Sequence, residues 1–339
     1  MIATEAIAAR RNVVWDLLKC VAIFCVISGH CFQHTGYGSA YLNIPIFKVV
    51  TMFEMPLFIF LSGCASHKSF SRTSPRELLS KRIRGILLPM VIFATIKFII
   101  NGIIYHQGAI SIDGALHDWL VEVAYGYWFI WVLLYCTFLS YAAFRIGGNY
   151  GLLIAYIAVM LIPRDLPLPH LASFQAMLPF FIGGVMFSRY RVAEWLVKHK
   201  ITISGVCLIA VVGCYLTYRA GGVFYFFKYM PTDVYIKYYA HLLVAGAATI
   251  SLLYLLADGV IKHFGASAIV KWSARIGQLT LGIYLTQDLF VEVAQQYNIT
   301  ISQPMLQLLL GIAVFMASIA IVKLISISRT LSRLMLGKA

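Results

Sequence analysis

The sequence predicts an all-α, polytopic integral membrane protein of about ten spans, folded as one domain over residues 1–339. Three observations predict it. Hydrophobic residues make up 61% of the chain, charged residues only 12%, and the mean hydropathy is +0.83. Soluble domains are nearer half apolar and a quarter charged, so a globule in water would leave much of this apolar surface wet. Ten stretches also approach the roughly 20 apolar residues that cross a bilayer core about 30 Å thick. Finally, 27 Lys and Arg stand against 13 Asp and Glu, a net charge of +14. Most of the basic residues fall in short segments between apolar runs, as loops retained in the cytosol do. That placement argues against a nucleic-acid partner and for a lipid bilayer.

The expected spans are about residues 13–33, 46–66, 85–105, 125–144, 150–162, 173–188, 201–218, 238–257, 276–297 and 304–325. The fifth and sixth are short, which suits helices tilted, broken or buried in protein. Arg10 and Arg11 precede the first span. Lys68, Arg72, Arg76, Lys81, Arg82 and Arg84 follow the second, and Arg189, Arg191, Lys198 and Lys200 follow the sixth. Lys262, Lys271 and Arg275 precede the ninth; Arg329, Arg333 and Lys338 follow the tenth. With an even number of spans these segments share one side, so both termini are expected in the cytosol. The opposite loops hold Asp113, Asp118, Glu122, Asp165 and Asp233, with only Arg164, Arg219, Lys228 and Lys237. The seven cysteines lie mostly inside apolar runs without a CxxC pair and read as packing residues. No histidine spacing suits a metal, so none is expected. The first apolar run is as long as a span and lacks a cleavage site, so no cleavable signal peptide is expected.

Ionisable groups inside a span are costly and mark function. The first span carries Trp15-Asp16-Leu17-Leu18-Lys19 and then His30. Lys19 and His30 are eleven residues apart, about three turns, which puts them on one face and roughly 16 Å apart along the axis. Asp16, one turn before Lys19, can pair with it. The second span carries Glu54 beside Pro56, which frees a backbone carbonyl and can kink the helix. In a hairpin of the two spans Glu54 comes near the level of His30, where a His–Glu pair would orient the imidazole for proton transfer. Asp288 and Glu292, one turn apart in the ninth span, suit a polar lining, and Trp128, Tyr284 and Gln287 can stack on or hydrogen-bond a sugar.

Together these residues resemble a known family. Asp-x-x-Lys-x10-His from Asp16 to His30, Met55-Pro56-Leu57-Phe58-x-Phe60-Leu61-Ser62-Gly63, and Lys81-Arg82-Ile83-Arg84 leading to Leu88-Pro89 look like the membrane acyltransferase-3 family. The closest likeness is to short members similar to fucose 4-O-acetylases and O-antigen acetyltransferases. Tyr127-Trp128-Phe129, Leu178-Pro179-Phe180-Phe181-Ile182-Gly183-Gly184, Ile276-Gly277 and Ile283-Tyr284-Leu285 extend the likeness over residues 11–290. Two positions depart from the family pattern: Lys19 stands where Arg is usual, and Gln287 near the place where His often follows the late Ile-Tyr-Leu.

The resemblance implies acetyl-CoA as acyl donor, with no tightly bound cofactor, and a surface-glycan hydroxyl as acceptor. On that expectation the candidate catalytic residues are His30, Lys19, Asp16 and Glu54, and Arg72, Lys81, Arg82 and Arg84 are candidates for the CoA phosphates, since Arg and Lys suit phosphate. Trp128, Tyr284, Gln287 and Asp288 are the candidates for acceptor binding. His30 would act either as a base on the sugar hydroxyl or as a transient acyl carrier. The expected location is the bacterial inner membrane. A transporter or flippase for a lipid-linked sugar also fits many spans with intramembrane charges, but it would not account for the order of the motifs.

Overall fold

The computed structural model describes residues 2–36, 40–105, 112–217 and 232–337, and no strand occurs among them. Arg219, Lys228 and Lys338, three of the expected loop charges, lie outside the described residues. The chain begins with the long helix α1 (Ile2–Thr35). The second expected span is offset into α2 (Pro45–Thr51) and α3 (Glu54–Arg72). The third forms from α4 (Pro75–Arg82), a π-helical turn at Ile83–Leu87, and α5 (Leu88–Tyr105). There follow α6 (Ile112–Tyr125), α7 (Trp128–Met160), α8 (Leu171–Arg189), α9 (Val192–Lys198), α10 (Lys200–Thr217) and α11 (Thr232–Phe264). The chain closes with α12 (Ala268–Gly277), α13 (Thr280–Gln296), α14 (Pro304–Ile327) and α15 (Arg329–Leu336).

Among the described residues, eight helical segments are long and apolar enough to cross a membrane. The other two expected spans have identifiable counterparts. Residues 150–162 correspond to the second limb of α7. Gly148 breaks that helix with φ +57° and ψ −131°, backbone angles that glycine accepts and side chains resist. Beyond it, a β-carbon added at Gly151 would lie 2.0 Å from the Ala143 carbonyl oxygen. On an unbroken helix those residues would stand about 12 Å apart, so the chain folds sharply back at Gly148. The expected span 276–297 corresponds chiefly to α13, whose 17 residues include Asp288 and Glu292 and are therefore too short and too polar to count as a simple span. Residues 276 and 277 instead end the amphipathic α12.

The motif glycines explain the tightest packing. A β-carbon at Gly63 would lie 2.0 Å from the Phe181 carbonyl oxygen, and one at Gly184 would lie 2.0 Å from that of Phe60. The backbones of α3 and α8 thus touch reciprocally, as small residues permit where lipid offers no hydrophobic drive. Ser188 seals the pair with a 3.1 Å hydrogen bond to the Cys64 carbonyl. Gly63→Ala is expected to force these backbones apart and cost about 1–3 kcal/mol, the range for an overpacked core. Thermal unfolding of the detergent-solubilised protein checks it; a midpoint equal to the parent's would show that the contact is slack.

One end of the bundle gathers Trp15, Asp16 and the α12 terminus. Trp15 packs between Phe187 and Tyr254, at ring-centroid distances of 5.7 and 5.4 Å. Gly277 meets the Asp16 backbone so closely that a β-carbon would fall 1.8 Å from its oxygen. At the other end, the Ile301 amide donates to the Thr35 carbonyl at 2.8 Å, tying α1 to the segment before α14.

Candidate active site

The residues singled out on α1 form two stations. At the first, Lys19 Nζ lies 3.0 Å from Asp16 Oδ1, and Gln278 Nε2 donates to Asp16 Oδ2 at 2.9 Å. The lysine is thereby held by a carboxylate that α12 itself anchors. Of the four basic residues expected at the donor, Arg72, Lys81 and Arg84 are exposed, and Lys81 pairs with Glu77 at 2.7 Å. Arg82 turns toward α3, where its Nη2 donates to Ser66 Oγ at 3.2 Å.

At the second station, α1, α2, α3, α5, α7, α8 and α13 border a cavity of about 380 Å³. His30, Glu54, Trp128, Tyr284 and Asp288, predicted from four separate stretches of sequence, all line it. Gln287, expected to meet the acceptor, is fully buried and meets the histidine instead, with its Oε1 3.1 Å from His30 Nδ1. An amide oxygen accepts only, so in this arrangement His30 keeps its proton on Nδ1 and leaves Nε2 as the basic nitrogen. Glu54 lies beside this pair in the same wall. Its Oε2 abuts the neighbouring residue, within 3.2 Å of a β-carbon built on Gly29.

Lys97 on α5 was not anticipated. It is buried, and its Nζ lies 3.1 Å from each of Glu122 Oε1, Asp288 Oδ2 and Glu292 Oε2. Carboxylates survive away from water when paired in this way. The signal was present in the sequence, since a lysine within an apolar run is a functional candidate. Glu122 arrives on α6, which docks on α5 through a 3.0 Å hydrogen bond from Trp119 Nε1 to Thr95 Oγ1. His170 closes the wall by donating from Nε2 to the Ala124 carbonyl at 2.8 Å.

Between the two stations, α1 turns Ile23, Val26 and Ile27 into the bundle, each at most 1% exposed. The ion pair and the imidazole of α1 are thus separated by close apolar packing. No group of three or more potential metal-binding side chains occurs among the described residues.

Comparison with known proteins agrees with the motifs. Residues 12–327 match the acyltransferase-3 family, described as an acyltransferase domain. Among curated proteins, the chain is 28% identical over 216 residues to nodulation protein NolL of Sinorhizobium fredii, covering 62% of this chain and 58% of that one. It is 29% identical over 187 residues to nodulation protein NolL of Mesorhizobium japonicum, covering 53% of this chain and 48% of the other. The chain therefore spans about half the length of these relatives. No solved structure matches it. With a family match over nearly its whole length and the family's motif residues gathered on one bundle of apolar helices, the chain belongs to the membrane acyltransferase-3 family.

Proposed function

We propose that this protein is an integral membrane O-acetyltransferase of the bacterial inner membrane. It moves an acetyl group from cytosolic acetyl-CoA to a hydroxyl of a surface-polysaccharide sugar, such as that of an O-antigen, at the periplasmic face. The observation that carries the reading is His30, held by Gln287 in a cavity whose wall of carboxylates and aromatic rings suits a sugar. The distribution of Lys and Arg supports an orientation with both termini, Asp16 and Lys19 on the cytosolic side.

In this reading Arg72, Lys81, Arg82 and Arg84 hold the CoA phosphates, and Lys19 adds positive potential along the donor's path. His30 Nε2 takes the proton of the sugar hydroxyl, and the freed oxygen attacks the thioester carbon. The C–S bond breaks, the thiolate leaves, and the imidazolium returns its proton to sulfur. The apolar packing at Ile23, Val26 and Ile27 lies across the route of the acyl arm, so the arm passes only as these side chains move aside.

Glycan from strains with and without the gene tests the function. An acetyltransferase deletion is expected to lose one acetyl group per modified residue by mass spectrometry and NMR, with the amount of surface glycan unchanged. Loss of the surface glycan itself would instead identify a flippase.

A further inference from the structure

Lys97 is the only lysine or arginine among the described residues lining the His30 cavity, and its charge is already engaged. An ammonium has three N–H groups, and three carboxylates stand 3.1 Å from Nζ. Glu54, Asp288 and Glu292 border the same space, so carboxyls outnumber the cation in its wall by three to one. The other titratable groups facing it are three imidazoles and the neutral phenol of Tyr284. His30 uses Nδ1 on Gln287, His170 uses Nε2 on the Ala124 carbonyl, and His34 contacts Gln295 through Nδ1.

We infer from this wall that the acceptor presented to His30 is an electrically neutral sugar, and that the cavity rejects uronates, sialates and phosphorylated sugars. An anionic ligand would meet three carboxyl side chains and no uncommitted cation. A neutral sugar fits the same surface, because its hydroxyls donate to the carboxylate oxygens' free lone pairs. Trp128 offers an aromatic body to the apolar face of the ring. The inference rests on the O-acetyltransferase reading and adds to it the charge of the acceptor.

The test uses the full chain in lipid nanodiscs with acetyl-CoA and matched acceptors. Methyl glucoside is compared with methyl glucuronide, and methyl galactoside with methyl galacturonide, pairs that differ at C6 alone. Binding is followed by tryptophan fluorescence and transfer by labelled acetyl. A like-charge contact at about 5 Å in an effective dielectric of roughly 20 is worth about two powers of ten. Neutral glycosides are therefore expected to bind and react about a hundredfold better than their uronides. Uronides within tenfold of the neutral partners would overturn the inference while leaving the acetyltransferase reading intact. Selective binding of neutral sugars without transfer to any would uphold the charge rule and remove the catalytic reading. In Glu292→Gln, which removes one negative charge from the wall while keeping an acceptor for Lys97, the gap is expected to narrow about tenfold; an unchanged gap would place the selection outside this wall.

Discussion

In a His30→Ala protein, acyl transfer is expected to fall by about 10²–10⁴-fold, the usual contribution of a positioned acid–base group, with the helical bundle intact. The Nδ1 of His30 is anchored by a fully buried side chain, and its ring borders the polar cavity. Its replacement removes the base and leaves the packing of α1 to Ile23, Val26 and Ile27. Gln287→Leu gives a graded companion. With the amide oxygen gone the ring loses its orienting partner, and a hydrogen bond worth about 1 kcal/mol predicts a drop of several-fold to tenfold. Rates measured with purified protein decide the matter, and His30→Ala at more than a tenth of the parent rate would exclude the residue from the chemistry. Incubation with labelled acetyl-CoA alone, followed by peptide mapping, separates the two roles: acetyl on His30 identifies a carrier, and its absence a base.

The second large effect concerns stability. Lys97→Met is expected to cost about 3–5 kcal/mol, because breaking a buried ion pair from one side leaves charge without compensation. Here three carboxylates lose their shared cation at once. Thermal unfolding in detergent and the yield of monodisperse protein read the cost. Rescue makes the cause specific. Adding Glu122→Gln, Asp288→Asn and Glu292→Gln removes the orphaned charges, and the quadruple variant is expected to recover most of the lost stability. A Lys97→Met protein as stable as the parent would show that the cluster contributes little to the fold.

The spans were legible because the bilayer imposes a length, and that length appears directly as apolar runs. Short helices were not. α6 alternates apolar residues with Asp118 and Glu122 and reads as a polar loop, yet it docks through Trp119 and delivers Glu122 to Lys97. Gln287 read as an acceptor ligand because its amide can hydrogen-bond a sugar, but its position on α13 turns it toward α1. Residues in known motifs, such as His30, Tyr284 and Trp128, could be named in advance. The meeting of Lys97 with Glu122, Asp288 and Glu292 could not, since α5, α6 and α13 come together only in the folded bundle.

A membrane that stores energy as an ion gradient tolerates no conducting wire through its proteins, because each charge crossing 100 mV dissipates about 2.3 kcal/mol. A lysine and a histidine some 16 Å apart on one helix would invite such a wire if water joined them. Ile23, Val26 and Ile27 carry no exchangeable proton and pack closely between the two groups on α1. Under the proposed reaction the acetyl group crosses without charge, and an apolar plug of this kind would let the transfer proceed while the cell's electrical potential stays intact.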